Sequence, residues 1–446
     1  MLSGRGDNSP GLGLGDRGID SPKSDFPPPT QEQRRKVIWA WWSYDWANSA
    51  FATSILATLL PYYYRTVAGA SLSGNRATIY WGYTVSIALF LIAVSAPILG
   101  AIGDHTGSRK PFLAFLAGLG AFTTGSLVFV GSGDWLLASV LFVVSNMAFA
   151  GANIFYDSLL PHIAGPQEID RVSAKGYALG YLGGGLLLAL HFSWIAFPEI
   201  FFLGSAQRAI RASFLSVCLW WILFSIPILR WVPEPSRGSH TGNTGHPILG
   251  GFRSLRQTFR EIRRYREVTK FLIAFWLYSD GIGTIIKMAT IYGSEIGIGP
   301  MDLFGALLMT QFVGIPCSLL FGALAERMGA KRAIYLGLGV YTGISLWACF
   351  MTQPWEFWAL AFSVGLVQGG TQALSRSFYA AMVPKERAAE FFGFYSVSSK
   401  FAGMVGPSVF ALMGQITGSS RMGIASLVIF FVAGGWMLTR VAERRQ

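Results

Sequence analysis

Charged residues, cysteines and histidines are all scarce in this chain of 446 residues. Asp, Glu, Lys and Arg together make up 13% of it, about half of the share found in soluble domains. The three cysteines (Cys218, Cys317 and Cys349) lie in separate apolar runs and lack the paired spacing of a metal or redox site. No glycine-rich loop ending in Gly-Lys-Ser or Gly-Lys-Thr is present to hold a nucleotide phosphate. These absences argue against an enzyme, and they predict no cofactor and no metal.

Apolar residues, in contrast, make up 52% of the chain, and most of the sequence after residue 36 forms apolar runs of 18 residues or more. A helix of that length crosses a hydrocarbon core of about 30 Å. The runs predict an all-α membrane protein with twelve transmembrane helices in two pseudo-symmetric six-helix bundles. Their approximate bounds are 38–64, 77–103, 111–131, 135–160, 174–197, 209–232, 270–292, 302–325, 333–352, 355–382, 391–417 and 421–440.

Polar segments set the predicted domain boundaries. Residues 1–36 are rich in Gly, Pro, Ser and Asp and have no apolar period, so they predict a disordered cytoplasmic tail. A second polar stretch, 233–269, predicts a basic cytoplasmic linker between bundles at 37–232 and 270–440. Residues 441–446 are predicted to be a short tail.

The predicted linker carries arginines at mostly helical spacing. This spacing favours an amphipathic helix on anionic membrane lipid or a solvated helix that joins the halves, and the two alternatives are compatible. The arginines are Arg253, Arg256, Arg260, Arg263, Arg264 and Arg266.

One sequence pattern occurs twice, at corresponding places in the two predicted bundles. It reads Gly-x-x-x-acid-x-x-Gly-x-basic-basic, and each copy lies between two long apolar runs. A membrane chain made of two similar halves is the usual plan of a secondary transporter, in which the solute site lies between the halves. The copies consist of Gly100, Asp104, Gly107, Arg109 and Lys110, and of Gly322, Glu326, Gly329, Lys331 and Arg332.

The net charge of +12 follows the alternation of the loops. If the N-terminus is cytoplasmic, most of the Lys and Arg residues fall in cytoplasmic segments, as the positive-inside rule requires. Both termini are therefore predicted to be cytoplasmic. This distribution favours a membrane protein over a nucleic-acid-binding protein, in which the basic residues would form a soluble face. The predicted outer loops contain Arg65, Arg76, Arg208, Arg211 and Arg421.

The repeated pattern resembles the signature between the second and third helices of the major facilitator superfamily. The first copy departs from that signature at His105 and Ser108, where the family usually has basic residues. The resemblance implies that helices one, four, seven and ten line a solute site. It also implies that the repeated residues brace the cytoplasmic face as a conformational gate. In this gate, Asp104 is expected near the positive end of the eleventh helix, which is predicted to start near Glu390.

Four further segments resemble the subgroup that includes the fungal vacuolar amino-acid effluxers linked to autophagy. The resemblance implies proton-coupled or facilitated movement of a small solute, with an amino acid as the expected cargo. The segments are Tyr-Asp-Trp-Ala-Asn-Ser-Ala at 44–50, Phe-Tyr-Asp-Ser-Leu-Leu-Pro at 155–161, Gln-Ala-Leu-Ser-Arg-Ser at 372–377 and Ala-Glu-Phe-Phe-Gly at 389–393.

Polar side chains inside the predicted helices mark candidate solute and proton sites, because each is costly in lipid. Asp45 and Asn48 share a face of the first helix, and Asp45 is predicted to couple protons or to brace the cytoplasmic end. Asp280 and Lys287 share a face of the seventh helix but are about 10 Å apart along its axis, too far for a tight pair. They are predicted to bracket a zwitterionic solute, or Lys287 extends to the outer interface.

The tenth and eleventh helices supply the remaining candidates. Gln368, Gln372 and Arg376 recur on one face of the tenth helix. Arg376 corresponds to Asn153 of the first half, and it is predicted to bind a solute carboxylate or to pair at an intracellular gate. Lys400 lies at a depth similar to that of the aspartate in the first helix, so the two are predicted to form a latch between the halves in one conformation.

Together these patterns predict a secondary active transporter that moves a small polar solute by alternating access. Amino-acid export is the favoured activity, with protons as the expected coupling ion. The chain is predicted to be a multi-pass protein of the plasma membrane (the inner membrane in a prokaryote), surrounded by membrane lipid and working as a monomer. The alternatives are a sugar or drug facilitator and a non-transporting membrane sensor.

Overall fold

The computed structural model describes residues 30–72, 76–235, 265–295, 298, 300–417 and 420–442, and all regular secondary structure in these ranges is helical. The first helix, α1, comprises Gln31–Ala50 and the segments Phe51–Leu59, Leu60–Tyr63 and Tyr64–Ala68, which continue it without a break. The later helices are α2 (Arg76–Thr106), α3 (Arg109–Ser126), α4 (Trp135–Ile163), α5 (Ile169–Ala196), α6 (Ala206–Trp231), α7 (Arg266–Glu295), α8 (Pro300–Met328), α9 (Ala330–Phe350), α10 (Pro354–Met382), α11 (Ala388–Thr417) and α12 (Ser420–Ser426 with Val428–Thr439).

The start of α1 corrects the predicted tail at 1–36, because residues 31–36 are helical. Thr30 is the N-cap: its hydroxyl accepts a hydrogen bond from the Gln33 N–H, and the Gln33 side chain accepts one from the Thr30 N–H. This capping box starts the helix in polar residues, before the apolar run on which the prediction was based.

Two parts of α1, Phe51–Leu59 and Tyr64–Ala68, are π-helical. The hydroxyl of Thr58 donates to the carbonyl oxygen of Thr53, five residues earlier, at 2.8 Å. π-Helical segments are rare in proteins, and those that do exist are often found at functional sites. Nothing in the hydrophobic pattern predicts them.

Nine helices in the described ranges are long and apolar enough to cross a membrane, namely α2 to α9 and α12. Their ends lie within a few residues of the predicted bounds. They indicate an integral, multi-pass membrane protein. The helices α1, α10 and α11, which carry most of the polar candidate residues, fall outside this set, so the count of twelve spans stays a prediction.

The first half of the chain (α1–α6) meets the second half (α7–α12) along two main contacts, α2 against α11 and α5 against α8. Glycines allow the close approach: a Cβ at Gly393 of α11 would lie 2.7 Å from the carbonyl oxygen of Ala96 in α2. We call the end of the bundle at which Gln31 begins α1 the base, and the opposite end the top.

The predicted linker and tails fall largely outside the described residues, which omit 1–29, 236–264 and 443–446. Helix α6 ends at Trp231 and helix α7 begins at Arg266. The division into two bundles at the predicted boundaries stays a prediction.

Candidate functional site

One buried arginine joins the two halves. Arg376 of α10 is 3% exposed, and its Nη2 lies 3.2 Å from Asp45 Oδ2 of α1. Its Nη1 lies 3.3 Å from Asp157 Oδ1 of α4. Its Nε donates to the Ser173 hydroxyl of α5 at 2.9 Å, and its Nη2 donates to the Ser173 carbonyl oxygen at 3.0 Å. Three helices of the first half therefore hold one guanidinium, and we call these four residues the Arg376 cluster.

Aromatic rings enclose the guanidinium of Arg376. Its central carbon lies 4.8 Å from the ring centre of Trp41, 5.6 Å from that of Tyr156 and 4.4 Å from that of Tyr177. Cations are attracted to the faces of such rings, most strongly where water is excluded. In this setting a charge that loses its partner is costly, so the cluster is expected to break or form as a unit.

Two predicted site residues, Asn48 and Asn153, meet about one turn above the Arg376 cluster. The Asn48 side chain donates to the Asn153 Oδ1 atom at 2.8 Å. Asp157 lies four residues after Asn153 and so shares its face of α4. Asp157 was not among the predicted site residues, although it lies on the same face of the fourth predicted span. No sequence signal marked Ser173.

The carboxylate of Asp45 pairs with Arg376, and the predicted latch between Asp45 and Lys400 stays a prediction. The Lys400 side chain itself lies outside the described residues. The prediction compared only depths along the helices. Which of two cations meets a carboxylate also depends on where each side chain lies around its helix axis, and an apolar run does not give that angle.

At the base, Asp104 of α2 caps the start of α11. Its carboxylate accepts hydrogen bonds from the Ala389 N–H at 3.2 Å and the Glu390 N–H at 2.7 Å. The Arg109 Nη2 donates to the same carboxylate at 2.7 Å and to the carbonyl oxygen of Lys385 at 3.1 Å. An anion is stabilised at the positive end of a helix. The first copy of the repeated pattern therefore joins the two halves at the base.

Close helix packing and positive φ angles explain why the pattern contains glycines. A Cβ at Gly100 would lie 2.9 Å from the Glu390 Cα, so α2 and α11 could not approach as closely. Gly107 and Gly329 turn the chain into α3 and α9 with φ of 64° and 87°, values that favour glycine. The N–H of Lys110 donates to the Glu234 carboxylate at 3.1 Å, which fixes the start of α3.

The second copy of the pattern is more exposed than the first. Glu326 pairs with Arg171 of α5 at 4.0 Å, with both side chains largely in solvent, so the pair contributes little to stability. Lys331 donates to a carbonyl oxygen just beyond α12 at 2.6 Å, within its own half. Arg332 is exposed, and Gly322 faces α5 closely. The two copies therefore differ in their contacts despite their shared pattern.

Asp280 and Lys287 of α7 both contact α11 rather than each other. Asp280 Oδ1 accepts from the Gly406 N–H at 2.9 Å, and Lys287 Nζ donates to the Gly403 carbonyl oxygen at 3.2 Å. Pro407 has no N–H to offer that carbonyl four residues earlier, so Lys287 replaces the missing helical donor. The two charges predicted to bracket a solute thus bind the backbone of α11 near Pro407.

A cavity of about 140 Å³ lies between the halves, on the top side of the Arg376 cluster. Most of its walls are apolar, and no Asp, Glu, Lys, Arg or His of the described residues lines it. Both halves contribute, since α1 and α5 form one side and α7 to α10 and α12 form the rest. The polar side chains in its walls are Thr53, Thr58, Tyr292, Thr310, Gln311, Ser345 and Gln368.

Two glutamines, Gln311 and Gln368, supply the amide groups of the cavity wall. Gln368 was predicted as a site residue and lines the cavity, whereas Gln372, half-buried one turn closer to the base, is not part of its walls. Gln311 of α8 was missed. Its Oε1 and the hydroxyl of Ser345 have no hydrogen-bond partner among the described residues. Buried polar atoms of this kind call for a partner from outside the chain, such as water or a solute.

Comparison with known proteins identifies the family. The model of the family described as "Vacuole effluxer Atg22 like" matches residues 33–446. The chain belongs to this family. It is similar to the uncharacterized MFS-type transporter YxiO of Bacillus subtilis (strain 168), with 39% identity over 406 residues that cover 91% of this chain and 94% of YxiO. It is also similar to autophagy-related protein 22 of Yarrowia lipolytica, with 25% identity over 437 residues that cover 78% and 73%.

Solved structures agree with this assignment at the level of the fold. The human organic anion transporter MFSD10 superposes with a TM-score of 0.71 at 14% identity, covering 92% of this chain and all of that one. The proton:xylose symporter XylE gives 0.68 at 14% identity, covering 92% and 96%. The predicted resemblance to the major facilitator superfamily is therefore confirmed. The protein is a transporter of major facilitator type and not an enzyme.

Proposed function

We propose that this protein exports a small amino acid by alternating access, with binding in the cavity between the halves. One observation carries the proposal: the cavity lies between the halves, and the base below it is closed. Below the cavity, the Arg376 cluster and the cap of Asp104 on α11 both join the halves. A solute in the cavity could reach the base only after both contacts break.

In this proposal the base faces the cytoplasm and both termini lie there, as the positive-inside distribution of basic residues favours. Separation of the halves at the base admits a cytoplasmic solute to the cavity. Closure of the base then leaves the top as the exit. The protein works as a monomer in the plasma membrane, and protons supply the coupling.

The chemistry of the cavity supports a neutral or zwitterionic solute with an apolar part. Amide and hydroxyl groups such as Gln311 and Gln368 can bond an ammonium and a carboxylate, and the apolar walls suit an aliphatic side chain. The names of the relatives, which refer to efflux from the vacuole and to autophagy, are compatible with amino-acid export.

The same chemistry disfavours the alternatives. An organic anion would call for a basic side chain in the cavity wall, and the described walls contain none. Pockets for drug-sized molecules usually measure roughly 300–1,000 Å³, more than this cavity offers. A sugar would leave much of its hydroxyl surface facing apolar side chains, at a cost for each unbonded group.

Counterflow in proteoliposomes tests the proposal. Purified protein is reconstituted with unlabelled leucine inside, and the entry of labelled leucine, glutamate and xylose is followed. Leucine is expected to exchange, and glutamate and xylose are not. Gln311→Leu and Gln368→Leu should each weaken leucine binding about tenfold, which corresponds to the loss of one hydrogen bond.

Ser363→Ala is the matched control, because the Ser363 hydroxyl bonds only a carbonyl of its own helix and lies outside the cavity. Leucine exchange that is unchanged in both glutamine variants would place the solute elsewhere. Exchange of xylose without leucine would replace the proposal by a sugar facilitator.

A further inference from the structure

The carboxyl group of Asp280 differs from the other buried acids in its surroundings. The residue is 1% exposed, and Oδ1 accepts a hydrogen bond from the Gly406 N–H at 2.9 Å. Its second oxygen, Oδ2, is buried and has no hydrogen-bond partner among the described residues. A buried charge with an unbonded oxygen is costly, and the cost disappears when the oxygen carries a proton or meets a cation.

The other buried carboxylates already have a cation. Asp45 and Asp157 are ion-paired with Arg376, Asp104 is paired with Arg109, and Glu390 is paired with Arg387. Protonation of any of these would release an arginine from a partner, which opposes the uptake of a proton. Protonation of Asp280 breaks no ion pair within the described part of the chain.

Lys287 lies on the same helix as Asp280 but forms its hydrogen bond with another residue. Lys287 donates to the Gly403 carbonyl oxygen at 3.2 Å, and it attracts the Asp280 carboxylate electrostatically without a direct ion pair among the described residues. From α12, Phe430 and Phe431 pack over neighbouring Gly281. The ionisable residue of α9 on this side, Tyr341, stacks on Phe431. On α11, the side chain of Lys400 lies outside the described residues.

One helix connects Asp280 to the base. Gly406, which donates to Asp280, lies in α11 beside Pro407, and a Cβ at Gly406 would lie 2.8 Å from Asp280 Oδ1. The same helix starts at Ala388, where Asp104 of α2 caps it. A change at Asp280 therefore acts on a helix whose other end closes the base.

We propose that Oδ2 of Asp280 is the site of the coupling proton, and that α11 transmits its occupancy to the base. The inference rests on the proposed transport function. It replaces Asp45, the proton site predicted from sequence, because Asp45 is held by Arg376. The step is a simple protonation: the O–H bond forms at Oδ2 with a proton from water and breaks when the proton leaves to water, and no redox partner takes part.

Infrared difference spectroscopy of the full chain in lipid nanodiscs tests the site without any substrate. Spectra recorded as pH is changed should contain a C=O band of a protonating carboxyl group. The band is expected in the wild type and in Asp45→Asn, absent from Asp280→Asn, and shifted in Asp280→Glu, the variant that keeps the acid. A band lost in Asp45→Asn and retained in Asp280→Asn would overturn the proposal. So would a response to Na⁺ at constant pH that replaces the response to pH.

Transport in proteoliposomes separates this inference from the proposed function. Asp280→Asn should lose accumulation of leucine driven by a pH gradient, while counterflow without a gradient stays within about threefold of the wild type. Accumulation retained in Asp280→Asn would refute the proton site even if leucine is transported. If the wild type moves no leucine but the infrared band follows Asp280, the proposed cargo fails and the proton site stands.

Discussion

Arg376 and Asp45 are 331 positions apart in the chain, yet their Nη2 and Oδ2 atoms lie 3.2 Å apart across the boundary between the two halves. The pair lies on the base side of the cavity. The guanidinium of Arg376 also contacts Asp157 and Ser173. Because the groups belong to different halves, a movement that opens the base must separate them. Of the two roles predicted for Arg376, the gate therefore fits its position better than the solute site does.

Arg376→Lys should weaken closure of the base and leave the solute site intact. A lysine keeps the charge but not the planar fork that reaches both carboxylates and Ser173, so a loss of about 1–3 kcal/mol in stability is expected. Thermal unfolding and equilibrium binding of leucine measure the two effects. Arg332→Lys, at an exposed arginine of the base, is the control.

A different result would restore the solute role of Arg376. In that case the variant would weaken binding of a carboxylate-bearing solute while leaving its amide analogue unaffected. The gate role requires both ligands to bind within a few-fold of their wild-type affinities.

Asp104→Asn should slow transport and leave solute affinity within a few-fold of the wild type. The amide still accepts hydrogen bonds from α11, but it loses the charge that attracts Arg109 and the positive end of the helix. Transport rate and binding are measured on the same preparation. Asp134→Asn is the matched control, because Asp134 precedes α4 at the top and bonds Gly131 within its own half. Loss of binding in an intact fold would contradict the gate role.

Gly100→Ala should favour opening of the base by forcing α2 away from α11. The new Cβ would lie 2.8 Å from the Ala389 carbonyl carbon, closer than packed atoms allow. A cysteine introduced at Ala373, which is buried where the halves meet, should then react faster with a thiol reagent. Gly118→Ala is the control, since nothing lies within 4 Å of its Cβ. Equal labelling rates in both variants would show that the α2–α11 contact tolerates the methyl group.

Lys287 and Pro407 should be energetically coupled. Lys287→Met removes the donor to the Gly403 carbonyl oxygen and should cost about 1 kcal/mol of stability. Pro407→Ala returns a backbone N–H that can reach that carbonyl, so the lysine should matter less in the double variant. A double-mutant cycle measured by unfolding gives the coupling energy. Additive effects would mean that Lys287 acts on something other than α11.

The helices could be predicted closely and their partners could not. Lipid forces a spanning backbone to satisfy its own hydrogen bonds, so a long apolar run is nearly sufficient to define a helix such as α9. Pairing depends on rotation around each axis and on the packing of distant helices. For this reason the pairing of Asp45 with Arg376 in particular, and the contacts of Asp280 and Lys287 with α11, could not be predicted.

The contacts of the repeated pattern could not be predicted from the sequence either. Its two copies predict related turns, and the positive φ of Gly107 and Gly329 agrees with that. The pattern does not reveal that Asp104 is buried between the halves while Glu326 lies in solvent. Gln311 was missed because a lone glutamine in an apolar run has no period or partner to distinguish it.

The π-helical segment Phe51–Leu59 also affects how α1 tolerates changes of length. Deleting one residue from an ordinary α-helix rotates everything beyond it by about 100°, which moves a buried face into lipid. Within a π-helical segment each turn already holds one residue more than an α-helical turn, so a deletion there lets the turn close as α-helix. The residues beyond it keep their faces. The segment therefore resembles an insertion that the fold has accommodated, and the first helix should accept a shortening there more readily than at Trp41 or Tyr44.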